Sequence, residues 1–120
     1  MVKARIRQVQ REVASQRMMD EVPDATVVVT NPTHFAVALR YDPNGAGAPR
    51  VVAKGVDEVA QRIKAVAREH GVLVHEAPPL ARALHRTCEL GDEVPEDLFQ
   101  AVAGVLAYVY RVQGGTPVPA

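Results

Sequence analysis

Four consecutive residues, Asn31-Pro32-Thr33-His34, combine the side chains needed for a backbone to react with itself. An asparagine ordinarily ages when the backbone nitrogen of the next residue attacks its side-chain carbonyl. Pro32 has no N–H, so that route is closed. The reverse route stays open. The Asn31 side-chain nitrogen can attack the Asn31 backbone carbonyl, close a succinimide and break the bond to Pro32. An amide nitrogen is a poor nucleophile and a backbone amide a poor acceptor, so the step is slow in a flexible peptide. A folded turn can hold the nucleophile at attack distance. It can aim donors at the developing oxyanion. It can also supply a group that moves protons, and His34 is the local candidate. Asn-Pro is equally a common turn dipeptide, and a plain turn between two strands is the competing reading.

The flanking residues must grip this turn. Thr26-Val27-Val28-Val29-Thr30 is a β-branched run that predicts a strand, and Phe35 to Tyr41 predicts a second. Asp42 to Pro49 reads as a loop containing Gly45 and Gly47, followed by a third strand over Arg50–Lys54. Val56, Val59, Ala60, Ile63, Val66 and Ala67 share one face of an amphipathic helix from Asp57 to His70. Gly71 is its expected stop. Val72–Glu76 is a fourth strand, and the strand-helix-strand order predicts parallel strands with a right-handed crossover.

Upstream, residues 3–21 read as a helix with a thin stripe of Ile6, Val9 and Val13, stopped by Pro23. Downstream, Pro78-Pro79 is expected to break the chain before a short helix from Leu80 to about Cys88. Gly91 and Asp92 read as a loop. Pro95 is placed in the first turn of a last helix carrying Leu98, Val102, Val105, Leu106 and Val109. The tail from Gln113 is expected to be disordered. The expected architecture is α/β: a small mixed sheet of about four strands flanked by about four helices, with an extended basic N-terminal linker helix.

Composition narrows the function. The 120 residues suit one domain, and 48% are apolar, enough for a core of Val, Ala, Leu and Ile without Trp. Fourteen basic residues balance fourteen acidic ones. That balance and the scarcity of aromatics argue against a nucleic-acid binder, although Lys3, Arg5, Arg7, Arg11 and Arg17 concentrate positive charge near the start. Cys88 is the lone cysteine, so no internal disulfide can form, which fits a reducing cytoplasm. No apolar run approaches the ~20 residues of a membrane helix, and no signal peptide is visible. The chain is expected to be soluble as it stands.

Several blocks in order resemble the FlhB/YscU family of type III secretion proteins, whose self-cleavage motif is Asn-Pro-Thr-His. They are Arg17-Met18-Met19, the run Val29 to Tyr41, Val52 to Asp57, Glu76 to Leu84, and Val105 to Tyr110. Lys54-Gly55-Val56-Asp57 and Ala107-Tyr108-Val109-Tyr110 look like the flagellar branch. His85 departs from the pattern, standing where relatives often have Tyr.

The resemblance implies that Asn31 cyclises, that Pro32 becomes a new amino terminus, and that Thr33 and His34 shape or assist the step. The two pieces are expected to stay bound as one domain. The reaction is a single intramolecular turnover rather than multi-turnover catalysis. Residues 1–22 become a basic linker after an absent membrane domain, 23–112 the cleaving cytoplasmic domain and 113–120 the tail. Positive charge just inside the membrane fits that placement. The implied role is a switch in export specificity from rod and hook to filament subunits, on the cytoplasmic face of the bacterial inner membrane. The implied partners are the other export-gate subunits, the hook-length control protein and exported flagellar subunits, with no nucleic acid. The only membrane contact is through the missing N-terminal part.

Other signals are weaker. His85 and Cys88, with His70 and His75 nearby, do not make the ligand spacing of a zinc site, and no cofactor is expected. Cys88 reads as a buried small residue. The glycines at 45 and 47 lack the rest of a phosphate-binding fingerprint. Arg82 and Arg86 suit a small basic patch or plain solvated surface. An uncut binding module of the export apparatus is the alternative to the self-cleaving switch.

Overall fold

Runs of Val and Ala build the centre of the protein. The computed structural model describes residues 2–32, 34–45 and 47–113, and only the backbone of 2–9, 11 and 12. Residues 114–120, most of the expected tail, lie outside the described residues. The strands β1 (Val27–Asn31), β2 (Phe35–Arg40), β3 (Arg50–Val56) and β4 (Leu73–Glu76) form one sheet in the order β3-β2-β1-β4. β2 runs antiparallel to both β1 and β3, and β1 runs parallel to β4, so the sheet is mixed. Val27, Val28 and Val29 of β1 and Ala36 to Leu39 of β2 are fully buried. Near-continuous apolar sequence is what a strand covered on both faces requires.

Helices supply that cover. Val27, Val29, Val37, Leu39 and Val51 pack against α3 (Pro78–Thr87) and α4 (Phe99–Val112). Val28, Ala36, Ala38 and Ala53 face α2 (Asp57–Glu69) and the end of α1 (Val2–Glu21). Val51 and Ala53 are two residues apart yet serve opposite layers. A bulge explains this, because Leu39 pairs with Val51 but Ala38 pairs with Ala53. On α1, Met18 and Met19 are buried against the core, whereas Val13 is exposed. The apolar anchor of this helix is therefore its last turn. Ile6 and Val9 lie among the side chains outside the description.

α1 ends at Glu21, as expected, and Pro23 sits in the 3₁₀ turn Val22–Asp24 that follows it. Two other boundaries differ from the sequence expectation. Pro78 and Pro79 do not precede α3; they open it. The first N–H groups of a helix have no partner inside it, so proline loses nothing there. Pro95 caps a 3₁₀ turn, Glu96–Leu98, and α4 starts only at Phe99. The strands β3 and β4 point the same way, as expected, but they are opposite edges of the sheet with the β1–β2 hairpin between them.

Both ends of α2 are determined locally. At its end Val72 N–H bonds Ala67 O at 2.8 Å and Gly71 N–H bonds Arg68 O at 3.3 Å, with Gly71 at φ +74°. This pair of bonds is a Schellman stop, and it needs the left-handed glycine. At its start β3 runs straight into the helix. There Gly55 lies so close under Val59 that a Cβ on residue 55 would stand 2.2 Å from Val59 Cγ1. Gly55→Ala is expected to lower stability by about 1–3 kcal/mol, the usual cost of overpacking. Urea unfolding checks this, and a change within about 0.3 kcal/mol would contradict the close packing at this corner.

Candidate functional site

The turn between the two central strands is closed to its last rung. Asn31 ends β1 and pairs with Phe35, the first residue of β2. His34 N–H donates to Asn31 O at 3.0 Å, which makes residues 31–34 a hydrogen-bonded β-turn. Pro32 occupies the second position, where its fixed φ is preformed for a turn. Pro32 and His34 are exposed and Asn31 is half-buried. Thr33 falls outside the described residues. The structure thus brings Asn31, Pro32 and His34 together on one turn at one end of the sheet.

Neighbouring elements tie the turn down. Thr30 is 4% exposed, and its hydroxyl donates to Phe35 O at 2.8 Å, bridging the hairpin just below the turn. Thr30 O accepts the N–H of Ala77 at 2.9 Å, from the junction of β4 and α3. His34 O accepts the N–H of Asp57 at 3.0 Å, from the junction of β3 and α2. Backbone groups from two other strand-helix junctions therefore grip the chain at Thr30 and at His34, on either side of the Asn31–Pro32 bond. The Ala77 and Asp57 donors are backbone groups with no side-chain signature, so no residue pattern points to them. Thr30, a hydroxyl at the end of a valine run, was the one readable signal.

The bond on Asn31 O has chemical weight. That oxygen is the one that becomes negative if the Asn31 carbonyl carbon is attacked. A fixed N–H already pointing at it lowers the energy of such charge without reorganisation.

A ring cluster flanks the turn. The Phe35 ring lies 6.4 Å from that of His34 and 5.0 Å from that of His85 on α3. Lys54 Nζ donates to His85 O at 3.1 Å, placing an ammonium at the negative end of α3. In the sequence His85 stands out only as a weak metal-ligand candidate and a departure from the family pattern. Its place against Phe35 depends on how α3 crosses the hairpin. Burial lowers the pKa of His85 from 6.5, the charge of Lys54 lowers it further, and Glu89 opposes them. Cys88 is buried in the core, as expected of a small apolar residue, and Arg82 and Arg86 are exposed. Among the described residues no helix is long and apolar enough to cross a membrane.

A mixed sheet between two helical layers, with an Asn-Pro turn joining its central strands, defines a distinct class of domain. The model of the FlhB HrpN YscU SpaS family matches residues 1–109, and the chain belongs to that family. It is 54% identical over 112 residues to the flagellar biosynthetic protein FlhB of Salmonella typhimurium, covering 93% of this chain and 29% of that protein. It is 51% identical over 112 residues to FlhB of Bacillus subtilis, covering 93% of this chain and 31% of that protein. The chain thus spans about three tenths of the length of the curated relatives it matches. The crystal structure of the cytoplasmic domain of FlhB from Shewanella putrefaciens superposes with a TM-score of 0.77 at 50% identity, covering 88% of this chain and 87% of that one. These relatives belong to the flagellar branch that the 54–57 and 107–110 blocks implied.

The lowered His85 pKa has a signed consequence. The fold prefers the neutral imidazole, so it binds fewer protons than the unfolded chain between the folded and unfolded values. The stabilisation is complete above 6.5 and is lost as pH falls through that value toward the folded one. A nuclear magnetic resonance titration should place the His85 midpoint below 6.5. His85→Gln should also flatten the fall in urea midpoint between about pH 7.5 and about pH 5.5. A His85 midpoint at or above the ordinary value would contradict the burial described here.

Proposed function

We propose that this chain is the cytoplasmic part of a flagellar protein-export component and that it cuts its own backbone between Asn31 and Pro32. The single observation behind the cut is the hydrogen bond from His34 N–H to the carbonyl oxygen of Asn31. The Asn31 side-chain nitrogen attacks the Asn31 carbonyl carbon, and the electron pair moves onto the oxygen that accepts this bond. The carbon–nitrogen bond to Pro32 then breaks. The attacking nitrogen loses a proton and the Pro32 nitrogen gains one. We assign that transfer to the exposed His34 imidazole. No water is consumed in this step; the succinimide at Asn31 adds water afterwards. Thr33 completes the motif and shapes the turn. The reaction occurs once per molecule and has no external substrate, so the chain is not an enzyme in the multi-turnover sense.

The similarity to the flagellar relatives supports the wider role. Residues 1–22 lead from a membrane-embedded portion of the longer protein, 23–112 form the cleaving domain and 113–120 the tail. The cut permits the export apparatus to switch from rod and hook subunits to filament subunits. The other export-gate subunits, the hook-length control protein and the exported subunits are its partners.

Denaturing electrophoresis over time is the test. The wild-type chain should separate into 1–31 and 32–120, whereas Asn31→Ala stays whole. His34→Ala keeps its backbone donor and loses only the imidazole, so it should cut slower by about tenfold or more without stopping. Without denaturant the two pieces should elute together. Identical pieces from Asn31→Ala would point to a contaminating protease. A wild-type chain that stays whole would leave an uncut binding module as the better account.

A further inference from the structure

Strand β3 ends at Val56 and α2 begins at Asp57, with no residue between them to turn the corner. The turn is made inside Asp57, whose φ is +49°. Among the described residues it is the only non-glycine with positive φ. That conformation is unfavourable for most side chains, and Asp and Asn tolerate it better than others. Left-handed residues of this kind persist where their surroundings over-determine them.

The surroundings here include the cleavage turn. Val56 pairs with Phe35 as the last rung between β2 and β3. The N–H of Asp57 extends this ladder one step further, onto His34 O at 3.0 Å. A first-turn helix N–H has no acceptor within its own helix, so this donor is free to serve the neighbour. His34 is then tied at both backbone polar atoms, its carbonyl to Asp57 and its N–H to Asn31 O. The close approach of Gly55 to Val59 holds the corner against the helix.

We propose that Asp57 is a positioning residue for the cut at Asn31. The extended Val56 carries the Asp57 N–H onto His34 O, and the left-handed φ of Asp57 turns the chain into α2 at that point without pulling the donor away, which keeps the His34 N–H on the scissile carbonyl. Its side chain is exposed and takes no part in the chemistry. The inference rests on the self-cleavage reading.

The test compares cleavage rates of the full chain with Asp, Gly, Asn or Val at position 57, each checked for folding by circular dichroism and urea unfolding. Asp57→Gly and Asp57→Val both lose the carboxylate, but only Gly enters positive φ freely. Asp57→Gly should therefore cut at least roughly tenfold faster than Asp57→Val, and Asp57→Asn should fall on the Gly side. If Asp57→Val does not fold, Asp57→Ala takes its place and should still be slower than Asp57→Gly. Equal rates for Gly, Asn and Val in a cutting background overturn the role of Asp57 and leave the cleavage reading intact. Gly and Asn as slow as Val would assign the effect to the carboxylate and also overturn it. A wild-type chain that does not cut removes the cleavage reading and this inference together.

Discussion

The pairing of Asn31 with Phe35 holds the two central strands together up to the turn that joins them. Both strands are buried on both faces, so register is heavily constrained. A slip of one residue would carry Val27, Val29, Val37 and Leu39 into the layer of the opposite helices. The turn can therefore be neither longer nor looser than its four residues. Its geometry is imposed from outside by the sheet, by the Thr30 hydroxyl and by the donors of Ala77 and Asp57. A turn held this way is suited to an intramolecular attack, whose rate depends on the fixed position of nucleophile and acceptor.

The same constraint explains why a cut need not dismantle the domain. Breaking the bond after Asn31 removes no rung of the sheet. β1 keeps its pairing with β2 on one side and β4 on the other. The 1–31 piece also keeps Met18, Met19, Val22 and three fully buried valines of β1 in the core. Each such side chain contributes on the order of 1.5–3 kcal/mol on burial, so the pieces are held together without the broken bond. The change is confined to the exposed turn and to the two new ends it releases.

Periodicity made most elements legible before the structure. The valine runs became β1 and β2, the apolar face of residues 57–69 became α2, and Gly71 stopped it. Topology was less readable. The order strand, helix, strand predicts parallel β3 and β4, but the β1–β2 hairpin occupies the space between them, a long-range choice no local pattern encodes. Proline misled at helix starts, because Pro78-Pro79 looks like a break yet fits the donor-poor first turn of α3. At the candidate site, the four residues of the Asn-Pro-Thr-His motif are visible as side-chain types. The groups around them are not, because Ala77 and Asp57 act through backbone N–H groups and His85 meets Phe35 only through the crossing of α3 over the hairpin.

Mass spectrometry of freshly formed fragments under denaturing conditions tests the central claim most directly. Cyclisation consumes no water, so the initial masses of 1–31 and 32–120 should add to that of the intact chain. The 1–31 piece should then gain one water as its succinimide opens, while 32–120 carries a free Pro32 amine throughout. Fragments that exceed the intact mass by one water from the first time point would mean direct hydrolysis. A chain that never divides would mean that the turn is structural. Either result would contradict cleavage by Asn31.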